Sequence, residues 1–271
     1  MGVEIEYAIT VDGRPQPFAD LLPALVALPG ANLEDDGSQR FWWPGGHRLM
    51  ADGHYAEIAS PPERVSTRVA EDLTGSAAWA ESRLQALLTR QGRRCGCAFG
   101  IEPYSCHYNV GSAPFVDGWA VARRIASAFG PLLALMTSRP PVMGIIARPR
   151  PGRIEIVGDP VADPEQFRAA CLVIWGAVAM ALQEDAGATV ADLPALPADS
   201  LIQARTRSGL RLTLPPLDAA RIASLRTLLL PLSSGGRLEL GEWAARCWSS
   251  LRATVAARFG SAETARVDDF V

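Results

Sequence analysis

Val3–Thr10 alternates polar and apolar side chains, the period of a strand with two unlike faces. Pro17–Leu28 is apolar and predicts a short helix that ends at Pro29-Gly30, with an acidic, turn-rich loop at Ala31–Gly37. Arg40–Trp43 and His47–Ala51 read as two strands about the Pro44-Gly45-Gly46 turn, and Tyr55–Ala59 as a third. Pro61-Pro62 announces a long amphipathic helix from Glu63 to about Arg90. Strands follow at Cys95–Ile101 and Tyr104–Val110, then a second long helix, Val116–Thr137, stopped by Pro140-Pro141. Arg153–Val157 reads as a strand and Asp163–Gln183 as an apolar helix.

Asp185–Ser200, rich in Pro, Ala and Asp, is the candidate linker. Beyond it the pattern predicts a small strand at Leu210–Leu214, helices at Asp218–Leu229 and Leu240–Phe259, and a frayed tail at Gly260–Val271. Strands and helices mix without regular βαβ alternation, so the expected class is α+β. Residues 1–200 are expected to form the main domain, with 201–271 a mostly helical extension of it.

Side chains at i and i+2 of a strand share a face. Four strands place polar pairs at that spacing: Glu4/Glu6, Tyr55/Glu57, His107/Asn109 and Arg153/Glu155, with mostly apolar residues between or beside them. One sheet face would then be rich in carboxylates, with Asp52 beside them, while the other packs on helices. Carboxylates converging on one face repel each other unless a cation sits among them, and oxygen ligands of that kind suit Mg²⁺ or Mn²⁺. His107 and Arg153 offer partners for phosphate oxygens. The alternative for each pair is the solvated face of an ordinary antiparallel sheet.

Composition narrows the classes. The chain has 271 residues and a net charge of −3, which gives no general attraction to nucleic acid or to an anionic membrane. All 26 basic residues are Arg, and only Asn32 and Asn109 represent Asn. The five cysteines lack secreted-scaffold spacing, and the opening MGVEIEYAIT is acidic where a signal peptide would be basic and then apolar. The longest apolar run, Ala169–Leu182, is shorter than a membrane span. A soluble, cytoplasmic protein is expected. No Walker A sequence, G-x-G-x-x-G or G-x-S-x-G is present. The spacing of Cys95, Cys97, Cys106 and His107 fits no standard zinc ribbon or finger.

Four motifs, in order, carry a resemblance. Gly2-Val3-Glu4-Ile5-Glu6-Tyr7 is similar to G-[IV]-E-x-E-Y. Arg48–Asp52 followed by Glu57-Ile58-Ala59-Ser60-Pro61 is similar to R-L-Y-x-D…E-Y-[AS]-[ST]-P. Tyr104–Asn109 is similar to S-Y-G-x-H-E-N-Y, and Arg153–Asp159 to R-[IL]-H-V-x-x-G-D. Together they resemble the Pup ligase and depupylase group of the glutamine synthetase and glutamate–cysteine ligase (carboxylate–amine ligase) superfamily. The resemblance implies a glutamine synthetase-like, mostly antiparallel sheet packed on helices. It also implies an ATP-dependent ligase that forms an amide or isopeptide bond through an acyl phosphate on a glutamate-like carboxylate.

Carried over by position, Glu4, Glu6 and Glu57 match the Mg²⁺/ATP ligands, Mn²⁺ being a possible substitute, and Asp52 matches the catalytic carboxylate. His107, Asn109, Arg153 and Glu155 fall at nucleotide- or phosphate-binding positions. The implied partners are a carboxylate substrate, of the kind found at the terminus of a peptide or small protein, and an amine. The family's depupylases carry an extra loop before the catalytic Asp. Glu6 and Asp52 lie 46 positions apart, which favours a ligase. An amidase or isopeptidase on the same fold, or a non-catalytic nucleotide- or peptide-binding relative, are the alternatives. Tyr108 replaces a Glu of the family motif, Pro62 stands where a further Glu is usual, and the segment Thr137–Gly152 is short, so a compact relative is expected.

Overall fold

The computed structural model describes residues 1–112, 117–138, 144–185, 193–198, 202–203, 209–214 and 225–271. They divide into two compact units: Gly2–Arg64 with Glu71–His107, and Met1 and Val65–Ala70 with Tyr108–Val271. The expected linker and most of the expected helix at Asp218–Leu229 lie outside the described residues; Leu225–Thr227 forms a single 3₁₀ turn.

The first unit contains β1 (Gly2–Val11), β2 (Arg14–Pro15), α1 (Phe18–Val26), β3 (Glu34–Asp35), β4 (Phe41–Trp42), β5 (Arg48–Asp52) and β6 (Tyr55–Ala59). Most of α2 (Val69–Cys95) and the first part of β7 (Phe99–Gly111) complete it. Its strands lie in the order β7-β1-β6-β5-β4-β3, with β2 on β1. β6 runs antiparallel to both neighbours: Glu6 and Met50 lie opposite Glu57, Glu4 and Arg48 opposite Ala59, and Asp52 opposite Tyr55. Residues directly opposite share a face. Glu4, Glu6, Arg48, Met50, Asp52, Tyr55 and Glu57 therefore stand on one side of the sheet. On the other side, Val3, Ile5, Tyr7, Leu49, Ala56 and Ile58 are buried, and their removal from water drives the sheet to fold this way round.

Helix α1 packs on β5 and β6 and buries Phe18, Leu22 and Leu25. Helix α2 buries Leu73, Ala80, Leu84, Leu87 and Leu88, a helical stripe. It starts at Val69, six residues later than expected, where the main chain of Ser66 accepts from the Val69 N–H at 3.2 Å. It ends at Cys95 because the N–H groups of Gly96 and Cys97 both turn back to the Gly92 carbonyl, at 2.8 and 3.2 Å. Cys95 thus belongs to a helix terminus, and the two expected strands, Cys95–Ile101 and Tyr104–Val110, are one strand, β7.

In the second unit, β7 continues through Tyr108 and is followed by α3 (Gly118–Arg124), α4 (Gly130–Thr137), β8 (Gly144–Arg150), β9 (Arg153–Gly158) and α5 (Pro164–Asp185). Then come β10 (Ile202–Gln203), β11 (Leu210–Thr213), β12 (Leu229–Pro231), β13 (Arg237–Glu239), α6 (Leu240–Phe259) and α7 (Ser261–Asp268). The sheet order is β10-β11-β8-β9-β7, and β8 is antiparallel to both β11 and β9. Strand β8 is an addition to the elements expected from the pattern; it forms a hairpin with β9 through Pro151-Gly152, Gly152 taking the positive φ of 70° that such a turn requires.

The second long helix is not uniform. Between α3, capped by the Asp117 carboxylate, and α4, residues Ile125–Phe129 form a π turn. Pro131 has no N–H to give to the Ser127 carbonyl four residues back. Ser127 O is taken by the Leu196 N–H at 2.9 Å, and Ala128 O by the Trp243 indole N–H at 2.7 Å and the Cys247 thiol at 3.2 Å. Pro164–Glu184 is long and apolar enough to cross a membrane by length and composition, yet 67% of its most apolar window is buried, and α5 packs on α4, α6 and α7. It is a core helix. The expected frayed tail is largely helix α7, which buries Val267 and Thr264 and pairs Glu263 with Arg168 at 2.5 Å. The whole chain is α+β, antiparallel sheet packed with helices, as expected.

Candidate functional site

The carboxylate face of the first unit is assembled by register alone. β1 supplies Glu4 and Glu6, β6 supplies Glu57, and β5 supplies Arg48 and Asp52. A two-residue turn with Gly53 at φ 56° holds Asp52 at the tip of the β5–β6 hairpin. β7 contributes Ser105 and His107, again i and i+2. Glu6, Glu57 and His107 are all buried, at 6%, 3% and 6% exposure.

His107 sits between carboxylates: Nδ1 is 3.4 Å from Glu4 Oε2 and Nε2 3.8 Å from Glu6 Oε1. The Ser105 hydroxyl donates to Glu6 Oε2 and lies 3.2 Å from His107 Nε2. Arg48 reaches Glu4 and Glu57 only at 4.0 and 3.7 Å. One oxygen each of Glu6 and Glu57 and one nitrogen of His107 lie within 4.8 Å of one another. Glu57 Oε1 is buried and accepts no hydrogen bond among the described residues.

The electrostatics follow from burial and crowding. Desolvation first, then the charges of Glu4 and Asp52, push the Glu57 carboxyl up to about 7, against the smaller opposing pull of His107 and Arg48. Glu6 is also raised, by desolvation and by a hydrogen bond and charge from Asp52, with Ser105 and His107 opposing. Two carboxylates and an imidazole with an unsatisfied oxygen among them fit a hard divalent cation, Mn²⁺ tolerating the imidazole better than Mg²⁺. Beside the cluster, the Tyr55 and Tyr104 rings stack at 3.9 Å, and Tyr104 is 51% exposed.

The remaining expected residues lie in the second unit. There Arg148, Arg150, Arg153 and Glu155 share one face of the β8–β9 hairpin. Arg153 Nε donates to Asn109 Oδ1 at 2.7 Å. Glu155, 1% exposed, accepts from Arg148 at 2.9 Å and Arg150 at 3.0 Å. Its contribution is to hold two guanidinium groups. Tyr108, on the alternate side of β7 from His107 and Asn109, is buried with its ring centroid 5.7 Å from that of Phe167.

Four of the eight expected site residues (Glu4, Glu6, Glu57 and His107) thus cluster in the first unit, with Asp52 at their edge; Asn109, Arg153 and Glu155 belong to the second. Sequence reasoning did not single out Ser105 and Arg48 as site residues. The signals were there: Ser105 is two residues before His107 on one strand, and Arg48 and Asp52 are four apart on another.

No protein-family model matches the chain, and no curated protein matches it. Among solved structures it is similar to the complex between the prokaryotic ubiquitin-like protein Pup and its ligase PafA, with 16% identity and a TM-score of 0.57 over 99% of this chain and 62% of that one. It is likewise similar to the Pup ligase PafA in complex with ADP, with 14% identity and a TM-score of 0.54 over 93% and 61%. The chain spans about three fifths of the length of these proteins. The likeness shows that the chain shares the α+β fold of these structures.

Proposed function

We propose that the protein is an ATP-dependent carboxylate–amine ligase acting on a glutamate-like carboxylate, with its acidic cluster as the metal-dependent centre. The observation that carries this is the convergence of Glu6, Glu57 and His107, buried, on a face where Glu57 Oε1 has no hydrogen-bond donor among the described residues. The fold shared with a Pup ligase in complex with ADP supports the same reading.

In this reading Glu6, Glu57 and His107 hold a Mg²⁺ or Mn²⁺ ion, with Glu4 adjoining. The ion, when bound, neutralises charge on the phosphates of ATP. The substrate carboxylate attacks the γ-phosphorus, releasing ADP and forming an acyl phosphate. An amine then attacks the acyl carbon, and inorganic phosphate leaves with the bonding pair. Asp52, at the exposed tip of its hairpin, accepts the proton the amine loses and passes it to water. Ser105 and Arg48 position the carboxylates, Ser105 by orienting Glu6 and Arg48 by partly balancing Glu4 and Glu57. Arg153 and Asn109 are assigned to phosphate contacts, and Glu155 to fixing the arginines around them. The similar ligase was solved in complex with the prokaryotic ubiquitin-like protein Pup, which supports a small protein or peptide terminus as the acyl donor.

The test is release of ADP and phosphate with ATP, Mn²⁺ or Mg²⁺, L-glutamate or a glutamate-ended peptide, and an amine. Asp52→Asn is expected to lower turnover by about 10²–10⁴-fold. Turnover unchanged in Asp52→Asn and in Glu6→Gln would show that this cluster is not the centre.

A further inference from the structure

Strand β4 covers only the first part of β5: Phe41 pairs with Leu49 and Trp42 with Arg48. The edge from Met50 to Asp52 has no strand there. A groove of about 600 Å³ opens along that edge, between α1 and the 38–41 segment. Its walls are apolar, with Leu22, Pro23 and Val26 from α1 facing Phe41 and Met50. Asp52 lies at one end.

We infer that this groove is the acceptor subsite of the ligase proposed above, and that it takes a primary amine carrying a bulky apolar group. The inference rests on that reading for the role of Asp52, while the groove's selectivity is separately measurable. Three features fix the chemistry. The groove's single anionic lining residue is the carboxylate assigned to deprotonate the amine, so an ammonium group docks there by charge complementarity. The volume exceeds what ammonia or methylamine fills, and lies in the range of sites for molecules the size of a dipeptide or an aromatic amine. The walls reward apolar surface and offer no carboxylate to a second cation, which disfavours a diamine such as lysine. The lining cation, Arg40, sits on an exposed segment near Asp36, whose carboxyl is held below its usual range by hydrogen bonds from Ser38 and Trp42 and, least, by the Arg40 charge.

The tests are calorimetric titrations of the full chain with 3-phenylpropylamine, ammonium and L-lysine, and steady-state turnover with the same amines. 3-Phenylpropylamine is expected to bind at least tenfold more tightly than ammonium or lysine. Asp52→Asn should weaken that binding at least tenfold. Val26→Asp, a half-buried position in the last turn of α1, should lower the ratio of kcat/KM for 3-phenylpropylamine to that for ammonium at least tenfold. Melting temperatures of both variants establish that they fold.

Equal binding of the three amines, or binding indifferent to Asp52→Asn, overturns the acceptor assignment even if ADP forms. Selective binding that depends on Asp52, with no ADP formed from any amine, upholds the groove as an amine site and overturns the ligase reading.

Discussion

Glu155 and Glu57 are equally buried carboxylates, one in each unit, and their surroundings differ in one respect. Glu155 accepts short hydrogen bonds from Arg148 and Arg150. Glu57 has Arg48 no nearer than 3.7 Å, two further carboxylates adding to its charge, and an oxygen with no donor. The first is compensated by its two arginines. The second is not, and a buried anion without compensation destabilises the fold until it is protonated or meets a cation. Identical residue types with the same i, i+2 spacing thus meet different surroundings along one sheet, one carboxylate held by two arginines and the other short of donors among the described residues.

Breaking that contrast should produce its largest effect at Glu155. Glu155→Ala leaves two guanidinium groups facing each other and is expected to cost about 3–5 kcal/mol in urea unfolding. Glu57→Gln should do the reverse, raising stability by up to about 3 kcal/mol at pH 8. The sign follows from linkage. The folded Glu57 carboxyl holds its proton to about 7, against an ordinary value of 4.5, so it binds the proton more tightly folded than unfolded. The Glu57 contribution to stability is therefore fully present at or below pH 4.5 and is lost as pH rises through 7. The wild type should melt progressively lower across that window, and Glu57→Gln should flatten the slope; a wild-type slope of the opposite sign would exclude the raised Glu57.

Addition of Mn²⁺ at about a hundred times its Kd should restore about 3 kcal/mol at pH 8, read as a rise in melting temperature that Glu6→Gln reduces. The smallest effect belongs to Arg48→Gln. Its ion pairs are long, so the expected loss is under about 1 kcal/mol, accompanied by a further rise of the Glu57 carboxyl.

Much of this was legible before any coordinates. Alternation in Val3–Thr10 and Tyr55–Ala59 set Glu4, Glu6 and Glu57 on one face, because strand period leaves no freedom once Ile5 and Ile58 must be buried. What could not be read was pairing across distance. Ser105 meets Glu6 from 99 residues away, and nothing local in either strand announces it. Strand β8 was hidden because Arg148, Pro149 and Arg150 resemble a solvated loop; the reason for the arginines is Glu155 on the neighbouring strand. Helix α7 was mistaken for a tail because its polar composition conceals Val267 and the Arg168–Glu263 pair that dock it.

The π turn before α4 has a practical corollary for anyone trimming this chain. The buried Ala128 O accepts the indole N–H of Trp243 at 2.7 Å, and this contact ties α6 to the main chain of the π turn. A version cut before Leu240 would strip a dry carbonyl of its donors and open the slot that Trp243 fills. Solubility screens should therefore keep α6 intact, and a protease that clips ahead of it should release fragments that aggregate.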